Sequence, residues 1–146
     1  MAKSRQNQVI KYSLVGYDGS DSSKRAFCFA ADVARGGGGR VRVASVLQMT
    51  QSGVDACSLA MTDDSARRRR ELLEELRALA PDADTLVDIE LTHGSPGDVL
   101  LEQVRQHGID HVVIGHTERG GLARWLLGSI SDEVLARAHV PVTVVR

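Results

Sequence analysis

Hydrophobic residues along this chain follow two spacings that alternate from one end to the other. Segments in which apolar residues are continuous or recur at every second position predict strands, and a spacing of three or four predicts helices. The predicted strands cover residues 9–15, 41–47, 86–91, 111–114 and 140–145. Helices are predicted to begin at Ser20, near Asp64, at Ser95 and near Ser129. This alternation predicts an α/β fold, a doubly wound three-layer sandwich with a five-stranded parallel sheet and right-handed crossovers.

The helix patterns also predict which side chains face the core. The first helix ends at the glycine run 36–39, and the second, residues 64–80, ends before Pro81. The residues expected to face the core share a helical spacing: Ala26, Phe29 or Ala30, and Val33 in the first helix, and Leu72, Leu73, Leu76 and Leu79 in the second.

Three other segments have distinct patterns. Residues 48–64 are polar without periodicity and predict a long loop, which is typical of a lid or mobile flap. Residues 86–91 alternate between apolar and acidic, which is typical of a half-exposed strand at a sheet edge. Residues 111–114 are continuous in their apolar character and predict a strand that is buried on both faces.

The composition is typical of one globular domain over residues 1–146. Hydrophobic residues make up 42% of the chain and charged residues 25%, and the length allows a core without disulfides or metal. A net charge of −1 argues against nucleic acid or an acidic membrane surface as the main partner. No signal peptide or membrane-spanning run is visible, and Cys28 and Cys57 lack a CxxC spacing. These features predict a cytoplasmic protein with reduced thiols.

Two turns built from small residues carry the strongest functional signal. The first, residues 16–20 (GYDGS), follows the first strand. The second, residues 114–121 (IGHTERGG), closes the fourth strand and leads to residues 128–133 (GSISDE), where the last helix begins. Free N–H groups and the positive end of a helix dipole suit an anionic group such as phosphate. In a doubly wound sheet these two turns flank the ligand crevice, so the sequence predicts a nucleotide site between them.

Motifs of efficient catalysis are absent from the sequence. It contains no GxSxG, no Walker GxxxxGKS and no paired catalytic carboxylates, and no metal site is predicted. The arginine run 67–70 surrounds the circumference of a helix and is followed by glutamates, which favours a solvated face over an anion site. We therefore expect either no enzymatic activity or, at most, slow hydrolysis of ATP.

Residues 15–23 (VGYDGSDSS) and the last third of the chain, from Ile114 to PVTVVR at residues 141–146, resemble the universal stress protein family. The resemblance covers essentially the whole chain. That family's nucleotide motif is Gly, two residues, Gly, nine residues, Gly, then Ser or Thr. Gly115 matches the first position, and Gly128 with Ser129 match the last pair. Glu118 stands where the motif has its middle glycine.

The resemblance implies a nucleotide site, a strand order and an oligomer. In ATP-binding members, the Asp of the first turn and a Val of the second strand hold the base and the neighbouring ribose, while the glycine loop and its Ser hold ribose and phosphates. By this resemblance the site comprises Asp18, Val46, Gly115, Gly128 and Ser129, with Ile130 and Ser131 close by. It also implies the strand order 3-2-1-4-5 and a homodimer formed by pairing of the last strands. Such a strand, from Val140 to Val145, would be an adhesive edge if left uncovered.

Each matching residue also has a purely structural interpretation. Asp18 would form an Asx turn with its own backbone. Gly115 would supply a tight turn with positive φ. Ser129 would cap the last helix together with Asp132.

Glu118 separates the functional hypotheses. A carboxylate about 4 Å from a phosphate oxygen is disfavoured by roughly 4 kcal/mol at an effective dielectric constant of about 20. Pairing with Arg119 or Arg124, or a Mg²⁺ ion that bridges carboxylate and phosphate, would offset this repulsion. Alternatively, the side chain of Glu118 points to solvent.

The leading hypothesis is a dimeric cytoplasmic stress-response protein that binds ATP, with or without Mg²⁺, or another adenine nucleotide such as AMP or a cyclic nucleotide. The second hypothesis, motivated by Glu118, is a dimeric interaction module of the same family that does not bind nucleotides. The third is a hydrolase of the adenine-nucleotide α-hydrolase type, which is suggested by the fold class alone.

Overall fold

Five parallel strands form the centre of the protein in a computed structural model that describes residues 9–47, 58–116, 134 and 137–146. The strands are β1 (Tyr12–Gly16), β2 (Arg40–Leu47), β3 (Val87–His93), β4 (His111–Gly115) and β5 (Val142–Val145). Their order across the sheet is β3-β2-β1-β4-β5. The predicted fold class and the strand order implied by the resemblance are therefore confirmed.

Within the described ranges, four helices with defined bounds lie between the strands. They are α1 (Asp21–Gly37), α2 (Ser58–Leu79), α3 (Ala83–Leu86) and α4 (Pro96–His107). Ser20 caps α1 as predicted, because its side chain accepts a hydrogen bond from the Ser23 amide. Gly38 ends the same helix in the left-handed conformation, at φ 69°.

Helix α2 begins earlier than the sequence pattern predicts. The expectation of a loop over residues 48–64 is wrong from Ser58 onward, because that residue already belongs to the helix. The residues between Ser58 and Asp64 lack the helical spacing of apolar residues, so the sequence pattern did not indicate where the helix begins. Residues 48–57, including Cys57, lie outside the described residues.

Other boundaries differ by a few residues. The first strand begins at Tyr12 rather than residue 9, and the last begins at Val142 rather than Val140. Leu86 ends the short helix α3 instead of beginning β3. The predicted helix near Ser129 lies outside the described residues apart from Val134 and Arg137.

Two hydrophobic clusters hold the helices on opposite faces of the sheet. Helices α1 and α2 cover one face, where Phe27 and Leu76 pack on Val43 and Val113. On the other face Leu100 of α4 packs with residues of the strands. The sheet therefore lies between two helical layers. Strand β4 is buried along its whole length and β3 is a half-exposed edge, both as predicted.

The buried face of α1 includes Ala26 and Ala30 as predicted, but not the larger residues expected beside them. Phe29 is 40% exposed and Val33 is only partly buried. The helix instead turns small residues toward the sheet, which lets the two backbones approach closely. The buried apolar residues of α1 are Ala26, Phe27, Ala30, Ala31 and Ala34. In α2, Leu72 and Leu76 are buried as predicted, whereas Leu73 and Leu79 are partly exposed.

A polar network ties the outer strands to α4. The Arg42 guanidinium pairs with Glu90 at 2.7 Å and donates to Gln103 of α4 at 2.6 Å. The Tyr12 hydroxyl donates to Asp88 at 2.8 Å, and Arg40 also pairs with Asp88. These contacts link β1, β2 and β3 across one face of the sheet. The carboxylates of Asp88 and Glu90 on the edge strand β3 therefore form ion pairs with arginines of β2.

A second polar group lies under α1. The two ring nitrogens of His111 lie 3.1 Å from Ser13 Oγ and 2.7 Å from Thr143 Oγ1, which connects β4 to both neighbouring strands. His111 is 3% exposed. Burial lowers the pKa of His111 below its ordinary value, and the nearby Asp110 opposes this only in part.

This histidine predicts a loss of stability in mild acid. In the unfolded chain His111 is protonated near pH 6.5, whereas in the folded chain it is protonated only at a lower pH. The free energy of unfolding should therefore fall as the pH drops below 6.5, by up to about 1.4 kcal/mol per pH unit from this group. Urea denaturation between pH 7.5 and 5, roughly the range in which histidine titrates, measures the slope of the free energy of unfolding against pH.

His111→Gln and His139→Gln separate this effect from general acid sensitivity. His139 is exposed. The slope should become smaller in His111→Gln and stay unchanged in His139→Gln. Equal slopes in His111→Gln and the parent chain would contradict the assignment.

Candidate functional site

The strand order reverses between β1 and β4, which lie side by side in the middle of the sheet. Val15 of β1 pairs with both Val43 of β2 and Val113 of β4. The chain therefore leaves these two central strands at the same edge of the sheet and turns to opposite faces. Ligands of doubly wound proteins bind in the crevice at such a point. The described residues at this edge include Asp18, Val46 and Gly115.

Asp18 uses its two carboxylate oxygens differently. Oδ1 accepts a hydrogen bond of 2.9 Å from the Ser20 amide, so the Asx turn expected as the structural interpretation is present. Gly19, at φ 84°, completes this turn. Oδ2 is buried and has no hydrogen-bond partner among the residues that the structure describes. A buried carboxylate oxygen without a partner is costly, and a donor from a ligand would satisfy it.

Gly115 is needed for packing. Its φ is not positive, so the interpretation as a tight left-handed turn is wrong. A Cβ at this position would collide with the Ser22 carbonyl oxygen and lie 2.9 Å from the Ser23 nitrogen. Both atoms belong to the backbone of α1. The absence of a side chain at Gly115 therefore allows the end of β4 to contact the first turn of that helix.

Val46 contributes an apolar surface near the end of β2. It is 9% exposed and packs with Leu14 and Ile114 on the α4 face of the sheet. The remaining predicted site residues lie outside the described part of the chain, so the structure does not place them: Glu118, Gly128, Ser129, Ile130 and Ser131.

Tyr17 and the helix α2 form a polar cavity that the sequence did not reveal. Tyr17 is 2% exposed, and its hydroxyl has no hydrogen-bond partner within the described residues. Burial raises the pKa of Tyr17. The carboxylate of Glu75 raises it further, because it lies near the hydroxyl, although the two groups do not meet the geometry of a hydrogen bond. Tyr17, Asp18 and Glu75 line a cavity of about 160 Å³ together with other residues of α2 and the strand ends.

The alternation of β1 could have indicated Tyr17, because this residue continues the face of Ser13 and Val15. No sequence signal indicated the residues of α2, since only the packing of that helix brings them to β1.

Two kinds of feature are absent from the described residues. Among them no group of three or more His, Cys, Asp or Glu residues is arranged to hold a metal ion. No helix in the described ranges is long and apolar enough to cross a membrane.

The family model described as the universal stress protein family matches residues 12–146. The chain belongs to the universal stress protein family. A curated relative from Thermus aquaticus, the "Universal stress protein in QAH/OAS sulfhydrylase 3'region", is 31% identical over 144 residues. That alignment covers 94% of this chain and all of the relative.

Solved structures share the same fold. UspA from Lactobacillus plantarum superimposes with a TM-score of 0.74 at 22% identity and covers 96% of this chain and 100% of its own. A universal stress protein solved in complex with cAMP has a TM-score of 0.69 at 25% identity. That comparison covers 94% of this chain and 98% of the other.

Proposed function

We propose that this universal stress protein binds an adenine nucleotide at the carboxyl ends of β1 and β4, with ATP as the leading candidate. The observation that carries the proposal is Oδ2 of Asp18, a buried acceptor without a partner in the described residues, at the point where the strand order reverses. The family member that was solved with cAMP supports an adenine nucleotide as the class of ligand.

Different residues contact different parts of the nucleotide. Asp18 Oδ2 accepts a hydrogen bond from a ribose hydroxyl or a base amine, and Val46 offers an apolar surface to the base. Amide groups near Gly115 and in the segment from Gly128 to Ser131 donate to the phosphates. Gly115 also holds β4 against α1, which fixes the position from which the loop departs.

Glu118 sets the charge of the ligand that this loop accepts. When a Mg²⁺ ion accompanies the nucleotide, it supplies positive charge between the Glu118 carboxylate and the phosphates. A ligand with fewer phosphate charges than ATP, such as AMP or cAMP, reduces the repulsion without an ion.

Asp18→Asn tests the proposal with little disturbance of the turn. The asparagine side-chain oxygen can still accept the Ser20 amide, but its amide group replaces the Oδ2 acceptor with a donor. At about 100 times the dissociation constant, nucleotide should stabilise the parent chain by roughly 2.7 kcal/mol. Asp18→Asn should weaken binding by about tenfold or more. Thermal denaturation and calorimetric titration with ATP, AMP and cAMP measure both quantities.

Asp21→Asn, a change at an exposed position in the first turn of α1, is the control and should bind like the parent. If the parent binds none of the three nucleotides, with or without Mg²⁺, the proposal fails. In that case this protein would be an interaction module that does not bind nucleotides, as Glu118 suggests. The substitution Glu118→Gly should then create nucleotide binding. Nucleotide that copurifies with the parent chain would rule out this second function.

The proposal includes self-association in the cytoplasm through the last strand. Strand β5 lies at the edge of the sheet formed by the described strands, and Val144 on it is 40% exposed. An open edge of this kind can pair with the same strand of a second copy. The homodimer proposed from the segment 140–145 would bury this edge.

A further inference from the structure

The cavity beside Tyr17 lies on the opposite face of the sheet from Val46. Tyr17 belongs to the hydrophobic cluster under α1 and α2, whereas Val46 belongs to the cluster under α4. Asp18 is the proposed nucleotide residue that also lines this cavity. The cavity therefore lies next to the proposed nucleotide site. The two sites share Asp18, and the other residues that line the cavity are not part of the nucleotide site.

Two buried polar atoms at this cavity have no partner among the described residues. They are the Tyr17 hydroxyl and Asp18 Oδ2. The hydroxyl can donate or accept, and the carboxylate oxygen can only accept. Such atoms are rare in folded proteins, where buried polar atoms bond to protein groups, ordered water, ions or ligands. The volume of about 160 Å³ equals that of about five water molecules, which is room for a small organic group.

The charges of the lining favour a cation. Three carboxylates, those of Asp18, Glu71 and Glu75, line the cavity together with one guanidinium, that of Arg68. Lys24 pairs with Glu75 at 3.5 Å but is not part of the lining. The negative charges exceed the positive ones even when Lys24 is counted. A phosphate or a carboxylate would be repelled here, whereas an ammonium or guanidinium group would find acceptors.

We propose that this cavity binds a small organic cation that carries an ammonium or guanidinium group. The cation donates hydrogen bonds to Asp18 Oδ2 and to the carboxylates of Glu71 and Glu75, and the Tyr17 hydroxyl accepts a further one. The side chains of Leu72 and Leu91 cover its apolar part. Because Asp18 also belongs to the proposed nucleotide site, binding of the cation and of the nucleotide should influence each other.

Titration of the full chain with methylguanidinium chloride, without nucleotide, tests this site. The leucine methyl resonances of Leu72 and Leu91 should shift and saturate, with a dissociation constant of about 10 mM or tighter. Those of Leu100, on the α4 face, should not move. Methylurea, a neutral molecule of the same shape, should bind about tenfold more weakly. Since no nucleotide is present, the result does not depend on the function proposed above.

Three variants locate the binding. Glu71→Gln removes a charge from the lining and should weaken methylguanidinium binding by about tenfold. Glu74→Gln removes the same charge from an exposed position on the same helix that does not line the cavity, and should leave the affinity unchanged. Tyr17→Phe keeps the ring, so the fold should persist. It should weaken binding while raising the melting temperature of the free protein, because it removes a buried hydroxyl without a partner.

Four results would overturn the proposal. The first is the absence of saturable shifts, which would leave water as the occupant of the cavity. The second is methylurea that binds as tightly as methylguanidinium. The third is an equal loss in Glu71→Gln and Glu74→Gln, which would indicate attraction to the helix surface. The fourth is an unchanged affinity in Tyr17→Phe.

Discussion

Replacement of Gly115 by alanine is expected to lower the free energy of unfolding by about 3 kcal/mol, toward the upper end of the usual cost of overpacking. The added Cβ would collide with the carbonyl oxygen of Ser22 and lie 2.9 Å from the nitrogen of Ser23. Backbone atoms cannot rotate away as a flexible side chain can, so α1 or β4 must move. Because β4 pairs with both β1 and β5, such a movement disturbs the centre of the sheet. Urea denaturation without nucleotide measures the effect.

Gly36→Ala is the matched control. Gly36 lies within α1, its φ is not positive, and a Cβ there meets nothing within 4 Å. Alanine should therefore raise the free energy of unfolding by about 0.5–1 kcal/mol, through its better helix propensity and a less flexible unfolded chain. If Gly115→Ala keeps the stability of the parent and loses only nucleotide binding, the ligand rather than the helix explains this glycine.

Leu76→Ala should cost about 3 kcal/mol, within the range of roughly 2–5 kcal/mol for leucine-to-alanine changes in cores. Leu76 is 0% exposed and lies in the cluster that joins α2 to the sheet and to Tyr17. Alanine at this position leaves a cavity below α2, which also carries Glu71 and Glu75. The variant should therefore lose stability and also bind methylguanidinium more weakly. Urea denaturation and the methyl titration measure the two effects.

Leu73→Ala removes the same atoms from a neighbouring position that is partly exposed. It should cost about 1 kcal/mol, because much of this side chain is already in contact with water. Sequence periodicity placed Leu73 and Leu76 on the same core face, and the structure separates them. Equal losses in the two variants would contradict the orientation of α2.

The sequence pattern predicted the fold well where the sequence of apolar and polar side chains reflects which faces of an element are buried. Strand β4 has a continuous apolar run because helices cover both of its faces, and β3 alternates because it lies at an edge. The pattern failed where a helical segment lacks a regular spacing of apolar residues. The first turns of α2, from Ser58, show no helical spacing of apolar residues, so their sequence did not predict a helix.

Part of the candidate site could be found from local motifs. The GYDGS turn indicated Asp18, and the structure adds that one oxygen closes the turn while the other has no partner in the described residues. Gly115 was recognised as a special position from the nucleotide motif, and the alternative interpretation of a tight turn with positive φ is wrong. Its actual constraint comes from Ser22 and Ser23, which are far away in sequence and adjacent only after α1 packs on the sheet.

The amino-acid sequence by itself determined the five strands, the helices α1, α2 and α4, and the family, since these depend on spacings within short segments. Only the tertiary structure decided which face α1 presents to the sheet and why Gly115 has no side chain. It also decided that Glu71 and Glu75 stand beside Tyr17. Those features depend on how closely two elements approach, and that distance is set by the packing of side chains from distant parts of the chain.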